Sequence, residues 1–238
     1  VNLINIFKKM LKVVREATTP VDVKIKKGGG EIGRNNMFAF SSQSVIDPGR
    51  LRHIKIGNGN VFSRVSMFCH DYSWTIIAEA KREILPDVGK KIEIGNNNFF
   101  GYDCTILGPV MVGDNNIIGA KSLVNQDIGS NEVWAGVPAK KILSLDDLYL
   151  RRKKGAKQST YQHINKFKEE HGRLPYEHEF GWLSIYFVAR TEENYNTYFS
   201  SYEFKKETNS ETVKDIFFQT EPIWETYQAM ISSYKDSQ

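Results

Sequence analysis

The sequence predicts a mainly β fold: a parallel β-helix, flanked by an N-terminal amphipathic helix and a mainly helical C-terminal appendage. Large apolar residues return at every sixth position from Ile94 through Phe100, Ile106, Val112 and Ile118 to Val124. Neither helical spacing nor strand alternation gives that period. A coil of short strands does, because each strand sends one large side chain inward and then turns a corner. Gly95, Gly101, Gly113 and Gly119 each follow an inward residue, where close packing and unusual dihedrals suit glycine. Asn96, Asn97 and Asn98, and the "DNN" at 114–116, suit exposed corners, since asparagine enters left-handed conformations readily.

The elements follow in chain order. In "VNLINIFKKMLKVVREATTP", Leu3, Ile6, Phe7, Met10, Leu11 and Val14 lie at helical spacing, with Lys8, Lys9, Lys12 and Arg15 on other faces. That pattern predicts an amphipathic helix over residues 1–20. Lysines inside its apolar stretch argue against a signal peptide. Docking on the rest of the protein or on a neighbouring subunit is the preferred expectation, ahead of lying on a membrane surface.

The β-helix is expected over 21–142. Its first array counts in sixes as Ile32, Phe38, Ser44, Arg50, Ile56, Phe62, Phe68 and Trp74, weakest in the middle. The count then breaks. "IIAEAKREILPD" lacks the glycines and asparagines of its flanks, so residues near 75–87 are expected to leave the coil as a loop, where functional groups are commonly carried. After Ile142 the period disappears. Residues 143–155 are expected to form a short capping helix and an exposed basic connector, "RRKKGAKQ". Residues 156–238 are expected to form an aromatic-rich, mainly helical appendage, with two helical pieces broken near Pro222. Its aromatics serve first as its core, and exposed ones can stack on sugar faces.

Composition narrows the function classes. A net charge of +4 is far from the dense positive field of a nucleic-acid binder, and no nucleic-acid partner is expected. Two cysteines, Cys69 and Cys104, and the lack of a long apolar run point to a cytoplasmic protein.

The hexads, the "MFCHDYSW" segment, the ejected loop and the closing "VWAGVPAKKI" together resemble the hexapeptide-repeat acyltransferases over about residues 30–145. The resemblance is closest in kind to bacterial polysaccharide O-acetyltransferases. It implies a left-handed β-helix, a homotrimer with active sites between subunits, and acetyl-CoA as co-substrate. It also implies a carbohydrate acceptor, a capsule or lipopolysaccharide unit or its precursor.

Acetyl transfer to a hydroxyl requires a base, and imidazole, with an ordinary pKa of about 6.5, serves near neutral pH. Of the five histidines, His70 is best placed, shortly before the ejected loop and two residues after Phe68, which is expected inward. It matches the family's catalytic position. Asp71 is read as supporting an imidazolium or as contacting the acceptor. Glu79 and Glu83 are alternative partners from the loop, or simply an acidic face. Cys69 as a nucleophile is disfavoured, because neighbours on a strand point apart. No metal is expected, since only His53 and His70 fall in the coil, and the cluster of His171, Glu177, His178 and Glu179 reads as a polar turn. For coenzyme A, the resemblance implies a groove near the later coils. Backbone amides around Gly101, Gly119 and Ala120 would meet the pantetheine arm, Trp134 would cover the cofactor or cap the coil, and Lys140 or Lys141 would meet its phosphates. Two alternatives stay open: N-acetylation of an amino sugar nucleotide, and a non-catalytic trimeric scaffold.

Overall fold

The computed structural model describes residues 19–86, 89–199 and 210–237. The helix expected over 1–20 falls almost wholly outside the described residues. The chain divides after Asp146 into two compact units.

The first unit is a coil of short strands. β1 (Glu31–Ile32), β2 (Met37–Phe38) and β3 (Val45–Ile46) form the first turn, and β4 (Ile54–Ile56), β5 (Val61–Phe62) and β6 (Val65–Phe68) the second. β7 (Ile92–Ile94), β8 (Phe99–Phe100) and β9 (Cys104–Leu107) follow, then β10 (Val110–Val112), β11 (Ile117–Ile118) and β12 (Leu123–Val124). Like strands stack in parallel into three sheets, ordered β1-β4-β7-β10, β2-β5-β8-β11 and β3-β6-β9-β12. Three walls enclosing one core make a parallel β-helix. β13 (Glu132–Ala135) extends the second sheet in parallel from β11, and β14 (Lys140–Ser144) folds back antiparallel on β13. At the other end the helix Val21–Lys27 buries Val21 and Ile25 in the coil's core.

The inward column from Ile94 to Val124 is buried at all six positions. Fully burying each such side chain contributes about 1.5–3 kcal/mol. Phe38, Phe62 and Phe100 stack in sequence at ring separations of 4.6 and 5.0 Å, so the hexad period is also a ladder of aromatic contacts.

The earlier array needs correction. Val65 and Met67, rather than Phe68, are the buried residues of β6, and Met67 pairs with Ile106. The corner after Phe62 is one residue shorter than the corner after Phe100, so the count of six slips there. Ile46 takes the inward place expected for Ser44, Arg50 lies outside the column, and Trp74 starts a helix.

Asparagines at the corners divide into two kinds. The middle one of each triplet sits exposed or half-exposed in the left-handed region (Asn97 φ 56°, Asn115 φ 58°). The third is buried rather than exposed: Asn60, Asn98 and Asn116 form a ladder inside the wall. Asn98 Nδ2 donates to Asn60 Oδ1 at 3.0 Å and to the Gly113 carbonyl at 2.8 Å, and Asn98 Oδ1 accepts from the Asn116 amide at 2.8 Å. The ladder serves backbone groups that the turning chain cannot pair for itself.

Equivalent corners are 18 residues apart between the third and fourth coils and 38 apart between the second and third. The excess is the segment that leaves the coil after His70. It carries a helix, Trp74–Lys81, where an irregular loop was expected. Asp71 Oδ1 accepts from the Ser73 amide at 2.9 Å, an Asx turn that leads into the helix, and Arg82 in the left-handed region ends it.

The second unit begins within one long helix, Leu145–His171. The expected division into a capping helix and a basic connector over 143–155 is replaced by β14 followed by this single helix. Arg151 to Lys154 are good helix formers, and Gly155 alone costs only about 1 kcal/mol. Beyond it lie a 3-10 segment, Glu177–Tyr186, kinked at Gly181, and the helices Ser210–Gln219 and Tyr227–Lys235 on either side of Pro222. Ile164, Phe180, Phe187, Trp224, Met230 and Tyr234 pack into its core, while Tyr176 and Trp182 are exposed.

Among the described residues, no helix is long and apolar enough to cross a membrane.

Candidate active site

The third sheet builds the site at one of its corners. After Ile46 the chain runs "DPGR", a tight turn closed by the Arg50 amide on the Asp47 carbonyl at 3.3 Å. The Asp47 amide donates to the Met67 carbonyl at 2.9 Å. That bond fixes the end of β3 beside the end of β6, one coil along. The Asp47 carboxylate is fully buried and takes three donors: the Gly49 amide at 3.2 Å, the Cys69 amide at 3.0 Å, and Nδ1 of His70. A carboxylate only accepts, so Nδ1 carries the shared proton and Nε2 is left as the free base.

His70 is 18% exposed and lines a pocket of about 610 Å³ with Asp47, Pro48, Gly49, Arg50, Phe68 and Tyr72. The Tyr72 ring meets the imidazole edge-on at 4.8 Å. A buried carboxylate, an oriented imidazole and an adjoining pocket form a constellation suited to taking a proton from a bound nucleophile.

Asp71 is not part of it. Its oxygens accept from the Ser73 hydroxyl and amide and pair with Lys90 at 3.0 Å. Those contacts, the serine ones first, hold its carboxyl well below the usual carboxylate range. Side chains of adjacent residues diverge here, and the acid expected beside His70 is supplied 23 residues upstream. Asp47 was missed because it sits in the weakest stretch of the hexad count. The D-P-G turn signature was legible, but not the histidine that it faces. Glu79 lies on the exposed helix and pairs with Arg82. Cys69 is buried, and burial first, then Asp47, pushes its thiol up to about 12, so a thiolate nucleophile has no support there.

Of the residues expected to meet coenzyme A, two are already engaged within the coil. The Gly101 amide donates to the Ile118 carbonyl at 2.8 Å and the Gly119 amide to the Trp134 carbonyl at 2.7 Å. A Cβ on Gly101 would fall 2.5 Å from the Ala120 nitrogen, so glycine is required there by the approach of the next coil. Neither amide is spare for a pantetheine arm. Trp134 is half-buried against the core, and its indole N–H donates to Glu132 at 2.8 Å. Lys141 pairs with the same carboxylate at 2.6 Å. Ala120 and Lys140 are exposed.

No group of three or more potential metal ligands occurs among the described residues, and His53 does not line the His70 pocket. In the second unit Glu179 forms a two-point ion pair with Arg173 at 2.7 and 2.8 Å, which draws its carboxyl down to about 2.

Comparison with known proteins agrees with the coil. Residues 91–126 match the model for the bacterial transferase hexapeptide (six repeats). The chain is 34% identical over 155 residues to Protein CapG of Staphylococcus aureus, covering 61% of this chain and 88% of that protein. It is also 46% identical over 56 residues to the galactoside O-acetyltransferase of Escherichia coli K12, a match spanning 24% of this chain and 28% of that enzyme. Among solved structures, a hexapeptide-repeat-containing acetyltransferase of Vibrio cholerae superposes with a TM-score of 0.41 at 16% identity, covering 61% of this chain and 94% of that one. With its coil of hexads and its match to most of CapG, the chain belongs to the hexapeptide-repeat bacterial transferases.

Proposed function

We propose that the protein is an acetyl-CoA-dependent O-acetyltransferase acting on a sugar hydroxyl of a bacterial surface polysaccharide or its precursor. The observation that carries this reading is the His70 imidazole, held through Nδ1 by buried Asp47 at the edge of a pocket. His70 Nε2 takes the hydroxyl proton as the oxygen attacks the thioester carbonyl. The C–S bond then breaks, and the imidazolium returns the proton to the leaving sulfur. Asp47 holds the ring in one tautomer and stabilises its charged form. The family relationship supports a left-handed coil and acetyl-CoA as donor, with Ala120, Trp134 and Lys140 as donor contacts. The two unpaired cysteines fit a reducing, cytoplasmic setting.

A homotrimer belongs to the same reading, and the outer face of the third sheet supports it. Val45, Phe68 and Leu107 lie there, 48%, 37% and 36% exposed in the single chain, and Phe68 pairs with Leu107. An apolar strip bordering the active-site pocket is suited to a neighbouring subunit. Leu107→Asp is expected to yield monomers on light scattering, with far-ultraviolet dichroism unchanged and activity lost. A trimer that survives the substitution would remove this face from the interface.

Two measurements test the chemistry. Mass spectrometry of a surface-glycan panel incubated with acetyl-CoA should show one acetyl group gained, on oxygen rather than on an amino sugar's nitrogen; the absence of transfer to every glycan would overturn the reading. Asp47→Asn should lower kcat by about 10²-fold or more, as expected when the tautomer-setting acid of a histidine base is lost, with the KM for acetyl-CoA unchanged. An equal fall in acetyl-CoA binding would assign Asp47 a structural role instead.

A further inference from the structure

The pocket beside His70 holds a cation that the transfer chemistry does not use. Arg50 ends the "DPGR" turn, and its side chain lines the pocket with His70, Phe68 and Tyr72. Among the described residues its guanidinium has no carboxylate partner. The one acid lining the pocket is Asp47, whose oxygens already accept from His70, Cys69 and Gly49. Asp71, the next acid along the chain, is paired with Lys90. Of the other arginines described in this unit, Arg64 pairs with Asp103 at 3.4 Å and Arg82 with Glu79 at 3.4 Å, while Arg34 and Arg52 have no ion pair and do not line this pocket. Arg50 is therefore a half-buried residue lining this pocket, with no ion pair or hydrogen bond to its guanidinium among the described residues.

The geometry points to an acceptor that carries a carboxylate on the sugar, a hexuronate residue, with Arg50 as the specificity-determining residue. This inference rests on the acetyl-transfer reading above, whose acceptor class it names. The planar guanidinium matches a carboxylate through two parallel N–H···O bonds, which fix orientation as well as position. In a hexuronate the carboxylate is borne on the same ring as the hydroxyls. One contact to Arg50 therefore also orients the ring whose hydroxyl His70 must reach. Tyr72, 70% exposed, offers its ring to the apolar face of the same sugar. Because the turn that supplies Arg50 also supplies Asp47, the group that reads the acceptor's charge and the group that orients the base are fixed to each other by three residues of backbone.

The test compares the methyl glycosides of glucuronate, galacturonate and mannuronate with the corresponding neutral hexosides and with their 6-phosphates, in wild type, Arg50→Gln and Arg50→Lys. Wild type should prefer at least one hexuronate over its neutral partner by about 10- to 100-fold in kcat/KM, the range for a hydrogen-bonded charge. Arg50→Gln should abolish that preference, lowering kcat/KM on the hexuronates by far more than on the neutral sugars, with the KM for acetyl-CoA unchanged. Arg50→Lys, a point charge without the fork, should retain part of it. Equal losses on charged and neutral acceptors in Arg50→Gln, or the absence of any charge preference in wild type, would overturn the inference. A stronger preference for the 6-phosphates would overturn the carboxylate assignment. Calorimetric binding of the hexuronates without acetyl-CoA separates the two levels. Charge-selective binding lost in Arg50→Gln, together with no transfer to any acceptor, would sink the acetyltransferase reading and leave Arg50 only as the binder of a carboxylate-bearing sugar. Transfer without charge-selective binding would do the reverse.

Discussion

His70→Ala should lower kcat by about 10²- to 10⁴-fold, the usual contribution of a positioned general base, while acetyl-CoA binds as before. The side chain is 18% exposed and its bond to the rest of the protein is through Nδ1 to Asp47, so the ring can be removed without opening the core. Steady-state kinetics with acetyl-CoA titrated in parallel separates the two quantities. Retention of more than about a tenth of the wild-type kcat would remove His70 as the base, because water alone does not replace an oriented imidazole to that degree. The double variant with Asp47→Asn should be scarcely slower than His70→Ala alone. An acid that acts only through the histidine has nothing further to lose once the histidine is gone.

The largest expected effect on stability is at Asn98. Asn98→Ala removes the acceptor of the Asn116 amide and one donor to the Gly113 carbonyl, both inside the wall of the coil. Each buried group left unpaired costs about 1–3 kcal/mol, so a loss of about 2–6 kcal/mol is expected, read as a fall in the urea midpoint of the coil's unfolding. Asn97→Gly, one residue earlier, provides the control. Asn97 is exposed at φ 56°, glycine accepts that conformation freely, and the change should stay within about 1 kcal/mol. Equal losses at the two sites would mean that the ladder is not what holds successive coils together.

The contrast between these neighbours shows what the sequence could and could not reveal. Three asparagines in a row read correctly as a corner, because that inference needs only local backbone preference. Which of them turns into the wall depends on the coil stacked above, and no local rule contains that information. The same distinction governs the site. The column from Ile94 to Val124 was legible because its spacing never varies. Phe68 was assigned to the wrong face because one short corner, between Phe62 and Val65, moved the next strand by a single residue. His70 was chosen as the candidate base from its resemblance to a family position and from its place before the ejected segment. Asp47 was not, since its partnership with His70 exists only where the end of one coil meets the end of the next. The basic run at 151–154 misled for a different reason. Its charge suggested a solvated connector, whereas its residues are good helix formers and continue a helix already begun at Leu145.

The helix Val21–Lys27, which buries Val21 and Ile25 in the coil's core, bears on how durable the Asp47–His70 contact is. A stack of coils behaves as a one-dimensional array that frays from its ends. Asp47 belongs to the first coil and His70 leaves the second, so the two side chains straddle the terminal junction of the array. Loosening this short helix would separate the pair before the rest of the coil melts. Amide exchange at Asp47 and Cys69 would then report the opening of the helix, and activity would fade on heating well ahead of the bulk loss of β structure.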